Sequence, residues 1–126
     1  MHLYIAYKNY SAWSLRPWLA MKTFGQEFEE TILPFAHGDS LSEYAESRSV
    51  LPKVPVLEDG GLVIPDSLAI LEYLAERFPA HAWWPEEQKL RARARAASAE
   101  MHKTSPKIRH EKKNRHKPKS VAVCEQ

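Results

Sequence analysis

The chain has 126 residues, 44% of them hydrophobic and 27% charged, with a net charge of +2 and one cysteine. That suits one domain with an appendage and is apolar enough for a core, while Cys124 alone excludes an internal disulfide framework and a cysteine-only metal site. No apolar run approaches the ~20 residues that span a bilayer, and "MHLYIAYKNYS" lacks the basic-then-apolar order of a signal peptide, so a cytoplasmic protein is expected.

"HLYIAY" (His2–Tyr7) is a short apolar and aromatic run that predicts a buried strand. A loop follows over Lys8–Trp13. Ser14 can then cap a helix from Leu15 to Phe24, with Leu15, Trp18 and Leu19 on one buried face at i, i+3, i+4. On that start Pro17 falls in the first turn, where its missing N–H has no intrahelical partner. Gly25 is a natural C-terminal stop. "EFEETILPF" (Glu27–Phe35) predicts a second strand and "HGDSLSEYAES" (His37–Ser47) a short second helix. Val54–Glu58 and Leu62–Ile64 are β-rich runs joined by Asp59-Gly60-Gly61, a hairpin signal. Asp66 or Ser67 then caps a helix to about Phe78 whose apolar face is Leu68, Leu71, Leu74, Ala75 and Phe78.

The order is β-α-β-α-β-β-α in about 80 residues, which predicts an α/β fold with a mixed four-stranded sheet and helices packed on it. "AHAWWPEE" (Ala80–Glu87) is a linker, and a further helix starts near Glu86 and fades at His102. Met1–His102 carries ten Lys+Arg against fourteen Asp+Glu, net −4, whereas Lys103–Gln126 carries eight against two, net +6. The basic balance thus belongs to the last segment, which has too little apolar content to order itself. The expected organisation is a main domain at residues 1–80, a linker and helix at 81–102, and a basic low-order tail at 103–126.

Three places could carry chemistry. Val54-Pro55 lies at the entry of the third strand, where X-Pro is the one peptide bond for which cis is accessible. A cis bond would turn the Val54 N–H and C=O outward, free to pair with an extended, peptide-like ligand; a trans proline opening a strand is the plain alternative. Asp66-Ser67 opens a helix directly after a strand, so helix N–H groups, a hydroxyl and a carboxylate meet there. N-capping is the commoner use of such residues and is compatible with ligand binding. "NYSAWSLRPWLAMKTFG" (Asn9–Gly25) sets two serines before a helix, either as a capped helix start or as a hydroxyl offered to a ligand. No cysteine lies near residues 9–16, which speaks against thioredoxin-type disulfide exchange.

"S-x-x-S-x-R" opening the first helix, then "KVPVLEDG", then "IPDSLAILEYLAERFP", resembles the thioredoxin-like N-terminal domain of the glutathione S-transferases over roughly Met1–His102, most of all the bacterial members with an active-site serine. The resemblance implies glutathione as co-substrate, no metal, and a small electrophile as second substrate. It implies that Ser11 donates to the glutathione sulfur, with Ser14 as the alternative. It further implies that Pro55 is the cis-proline, that Val54 pairs its backbone with the cysteinyl part, and that Asp66 and Ser67 hold the γ-glutamyl end. Lys53 matches a position that contacts the tripeptide backbone or its glycyl carboxylate, and His37 could approach that carboxylate. A free thiol with pKa about 8.5 is mostly protonated at neutral pH; a hydroxyl donor and a helix N-terminus both favour the thiolate.

Complete family members carry a second, all-helical domain that builds the electrophile pocket and much of a homodimer interface, and only its first helix is apparent in this sequence. We therefore expect a truncated protein, impaired in catalysis by the missing electrophile pocket, whose Lys103–Gln126 comes from a shifted or truncated reading frame. Trp13, Trp18, Trp83 and Trp84 are candidates for the face left without that domain. The alternative functions are a non-catalytic glutathione-binding, thioredoxin-fold module or a basic-tail interaction protein. Nucleic acid is not expected as a partner, because no aromatic is interleaved among the basic residues for base stacking.

Overall fold

A computed structural model describes residues 1–33, 40–49 and 52–115 of the chain. Two compact units emerge, Met1–Trp84 and Pro85–Gln126. The first contains β1 (His2–Ile5), α1 (Ala12–Thr23), β2 (Glu29–Ile32), α2 (Ser40–Arg48), β3 (Val56–Asp59), β4 (Leu62–Pro65) and α3 (Ser67–Arg77). This is the predicted order of elements. The strands form one sheet in the order β2-β1-β3-β4, with β1 parallel to β2 and the other two pairs antiparallel. A parallel pair needs a crossover, which α1 provides, while β3 and β4 meet through the predicted hairpin. Its two linking residues, Gly60 and Gly61, have φ of +55° and +88°, values open to glycine and strained for other residues.

The side-chain period of two divides the sheet into faces. Leu3, Ile5 and Leu57 point to one side and pack with Met21 of α1 and with Ile70 and Leu74 of α3. Tyr4 and Val56 point to the other, where Tyr44 of α2 and Leu33 join them. The sheet is thus covered by α1 and α3 on one face and by α2 on the other.

Both predicted helix faces shift. Helix α1 starts at Ala12, three residues before the predicted Leu15, because Ser11 and not Ser14 is its N-cap. Its buried residues are Ser14, Pro17 and Met21, with Trp18 half-buried, whereas Leu19 is 53% exposed. Pro17 consequently lies in the second turn, where it has no N–H to give to the carbonyl four residues back. The prediction placed Leu15, Trp18 and Leu19 inward; the structure buries Ser14, Pro17 and Met21, and packs Trp18 against the core. In α3 the buried positions are Ser67, Ile70 and Leu74, with Leu68, Leu71 and Ala75 only half-buried.

Trp18 and Trp83 have partners within the first unit. The Trp18 indole donates to the Glu30 carboxylate and lies under the Lys8 ammonium, 4.2 Å from the ring centroid. The Trp83 indole donates to the Phe78 carbonyl at 3.0 Å and its ring rests on Phe24.

In the second unit, α4 covers Gln88–Arg115. Glu87 caps its start, accepting from the Lys89 and Leu90 amides at 2.9 and 3.2 Å. The helix predicted to fade at His102 continues as helical backbone to Arg115, through Pro106. Lys, Arg and Glu are good helix formers, and low apolar content does not by itself stop a helix. The part of the basic segment from residue 116 on, Cys124 included, lies outside the described residues. No helix among the described residues is long and apolar enough to cross a membrane.

Candidate functional site

Strand direction gathers the chemistry-bearing segments at one end of the sheet. β1 and β4 both run antiparallel to β3. The C-terminal ends of β1 and β4 and the N-terminal end of β3 therefore share one edge. In register, Tyr4 pairs with Val56 and Val56 with Pro65. One step beyond that row stand the segments that contain Ser11 and Ser14, Val54-Pro55, and Asp66-Ser67. The helices α1 and α3 also begin there.

The Val54-Pro55 bond is cis. Pro55 is buried and Val54 half-buried. The Pro55 carbonyl accepts from the Asp66 amide at 3.3 Å, which ties the proline turn to the start of α3. Lys53, immediately before, is exposed. His37 lies outside the described residues.

Asp66 does the capping at α3. Its Oδ1 accepts from the Leu68 and Ala69 amides at 2.8 and 3.2 Å, and its carbonyl accepts from Ile70 at 3.0 Å. Its backbone has φ +86°, a left-handed value that a non-glycine residue holds only where its surroundings impose it. With those three amides satisfied, what this helix end still offers is Ser67. Its side chain is 1% exposed, and its Oγ is buried with no hydrogen-bond partner among the described residues. A buried hydroxyl left unpaired costs about 1–3 kcal/mol, so such atoms are rare and invite explanation.

The two serines of the β1–α1 segment are buried as well, Ser11 at 1% and Ser14 at 0% exposure. The Ser11 Oγ accepts from the Ser14 amide at 3.2 Å, and the Ser14 Oγ accepts from the Ala6 amide at 3.1 Å. Tyr10 and Ser11 both donate their amides to the Tyr7 carbonyl at 3.0 Å, closing the loop between strand and helix. A hydroxyl has one proton and two lone pairs. Each serine has given up one lone pair to a backbone N–H and keeps its proton to donate.

A second polar cluster, which the sequence reading did not single out, lies at the other end of the β1–β3 pair on the α2 face. The Glu58 carboxylate accepts from Tyr44 at 2.9 Å, from Arg48 Nε at 2.8 Å and from Tyr4 at 3.5 Å. Burial works to raise the Glu58 pKa, but the hydrogen bonds from Arg48 and Tyr44 outweigh it and hold the carboxyl below its ordinary range. Burial, then donation to Glu58, pushes the Tyr44 phenol well above its ordinary value. The cluster fastens α2 to β3. Only the packing of α2 on the sheet brings position 44 to position 58, so no local signal could have revealed it.

Residues 10–77 match the family model described as the N-terminal domain of glutathione S-transferase. Among curated proteins, the chain is 37% identical over 92 residues to glutathione S-transferase 1 of Dianthus caryophyllus, covering 73% of this chain and 41% of that protein. It is 33% identical over 96 residues to the maleylacetoacetate isomerase of Rattus norvegicus, covering 76% and 44%. A crystal structure of a glutathione transferase homolog from Burkholderia with bound glutathione superimposes with a TM-score of 0.68 at 27% identity, over 83% of this chain and 55% of that one. The chain spans less than half the length of these two curated relatives.

Proposed function

Because this chain belongs to the glutathione S-transferase family, we propose that its first unit binds glutathione and activates the thiol for transfer to a small electrophile. The observation that carries the reading is the sheet end where a cis Val54-Pro55 bond, a left-handed Asp66 and a buried Ser67 hydroxyl with no partner among the described residues adjoin. A tripeptide suits all three. Its cysteinyl backbone pairs with the outward N–H and C=O of Val54, as an added strand would. Its γ-glutamyl carboxylate accepts the Ser67 proton, and its ammonium meets the Asp66 carboxylate. Lys53, exposed beside them, offers a cation to the tripeptide backbone or glycyl carboxylate.

The sulfur is then held near the start of α1. There the Ser11 hydroxyl, already polarised by the amide it accepts from Ser14, donates to the sulfur. Donation stabilises the thiolate and the helix N-terminus adds a favourable field, so the thiol pKa falls from about 8.5. The thiolate attacks an electrophilic carbon, a carbon–sulfur bond forms, and the displaced electrons leave with a leaving group or move onto the electrophile. The proposal includes a homodimer and a cytoplasmic location.

Immobilised glutathione should retain the wild-type protein and release it to free glutathione, and a conjugation assay should give turnover that Ser11→Ala loses about 10²-fold or more. Retention without turnover in either protein would leave a glutathione-binding module. No retention would defeat both readings.

A further inference from the structure

Ser14 ties the segment at the end of β1 to the Ser11 side chain. Its side chain accepts from the amide of Ala6, just past the end of β1, and its own amide donates to the Ser11 Oγ. We infer that Ser14 is a positioning residue for the thiol-activating hydroxyl, setting the direction in which Ser11 donates through a strand–serine–serine relay; this rests on the reading of Ser11 just given.

Both links of the relay are buried, and each is needed for the other. Ala6 is fully buried, so its amide requires an acceptor. The Ser14 Oγ supplies it from the first turn of α1, which anchors that turn to the end of the strand. Anchored in this way, the Ser14 amide points at the Ser11 Oγ and occupies one of its lone pairs. The Ser11 backbone is held independently, its amide on the Tyr7 carbonyl and its carbonyl on the Leu15 amide, each at 3.0 Å. What Ser14 governs is therefore the torsion of the Ser11 side chain, and with it where the remaining proton can point. If the Ser14 anchor is lost, the amide drifts from the Ser11 Oγ and the hydroxyl can rotate away from the sulfur. The tripeptide contacts at Val54, Asp66 and Ser67 do not pass through either serine.

The test is a titration of the glutathione thiol in the complex, followed by thiolate absorbance in the ultraviolet, on the 126-residue wild type, Ser11→Ala and Ser14→Ala. Glutathione affinity and the melting temperature are measured alongside. Ser11→Ala should raise the bound thiol's titration midpoint by roughly one unit and Ser14→Ala by about half of that. Glutathione affinity should change by less than about twofold in Ser14→Ala, so that kcat falls and the KM for glutathione holds. Should Ser14→Ala fail to fold, Ser14→Cys keeps the volume with only a weak acceptor and should show the same raised midpoint. A Ser14 variant that melts earlier but titrates like wild type would reduce the residue to a structural role and overturn the inference alone. A wild type whose bound thiol titrates like free glutathione would remove the reading of Ser11 and this inference together.

Discussion

Replacing Ser67 by Ala removes one oxygen and should move stability and binding in opposite directions. The Ser67 Oγ is buried without a hydrogen-bond partner among the described residues. An unmet buried hydroxyl costs about 1–3 kcal/mol, and alanine at the same place carries no such cost and is a better helix former. A methyl in its place leaves almost no void, so the cavity penalty is small. The free protein should therefore gain about 1 kcal/mol, which for a domain of this size is a rise of about 4–8 °C in Tm. Binding should suffer. A hydrogen bond to a carboxylate contributes about 1.5–3 kcal/mol, so the Kd for glutathione should rise roughly 10- to 150-fold. Thermal melts of the free protein and calorimetric titration with glutathione give both numbers from one preparation. The reasoning fails if Ser67→Ala lowers Tm and leaves Kd unchanged, because the hydroxyl would then have been satisfied in the free protein and idle in the complex. A residue kept at a cost to the free state is the expected mark of a binding site.

Asp66→Ala removes the α3 cap and leaves a left-handed backbone to a residue that resists it, and should cost about 2 kcal/mol in denaturant unfolding. Asp66→Gly loses the same cap but tolerates φ +86°, so it should be less damaging; equal losses would show that the backbone is unstrained. Ser11→Ala should lower stability by about 1 kcal/mol as well as reduce turnover, because the same oxygen caps α1. Glu58 has a depressed folded-state pKa, so its contribution is present above the ordinary glutamate range, about pH 4.3, and lost as pH falls through the lower folded value. Glu58→Gln should therefore flatten the acid side of the stability–pH curve while leaving glutathione binding intact, and an unchanged acid limb would dismiss the cluster as a contributor. Leu74→Ala, at a fully buried site on α3, should cost about 2–5 kcal/mol and leave too little stability for a cooperative melt.

The order of elements, the hairpin at Asp59-Gly60-Gly61 and the start of α3 were legible because each depends on neighbours in sequence. Positive φ at Gly60 and Gly61, period-two apolar residues and an Asp before a helix are local requirements. The buried faces of α1 and α3 were less legible. They depend on how closely a helix approaches the sheet, and here Ser14, Pro17 and Ser67 face inward while Leu19 faces out. Hydrophobicity alone ranks those residues the other way. The Glu58 cluster was not legible at all, since the packing of α2 on the sheet brings Tyr44 and Arg48, and the pairing of β1 with β3 brings Tyr4, to one carboxylate.

The two serines illustrate the difference most clearly. Read as sequence, S-x-x-S before a helix offers two caps of equal chemistry, and proximity to the first apolar residue favours the second. Geometry decides for the first, since a cap accepts from the amide two or three residues on, and only Ser11 has such an amide inside the helix at Ser14. In an ordinary capping box the third helical residue turns its side chain back to the cap's own amide. Here the Ser11 amide is already taken by Tyr7, and Ser14 turns instead to the amide of Ala6. The reciprocal bond thereby moves from the helix to the strand. That displacement couples the end of the sheet to a hydroxyl whose proton stays uncommitted. One short segment thus closes a loop, starts a helix and presents the Ser11 hydroxyl with its proton still to donate.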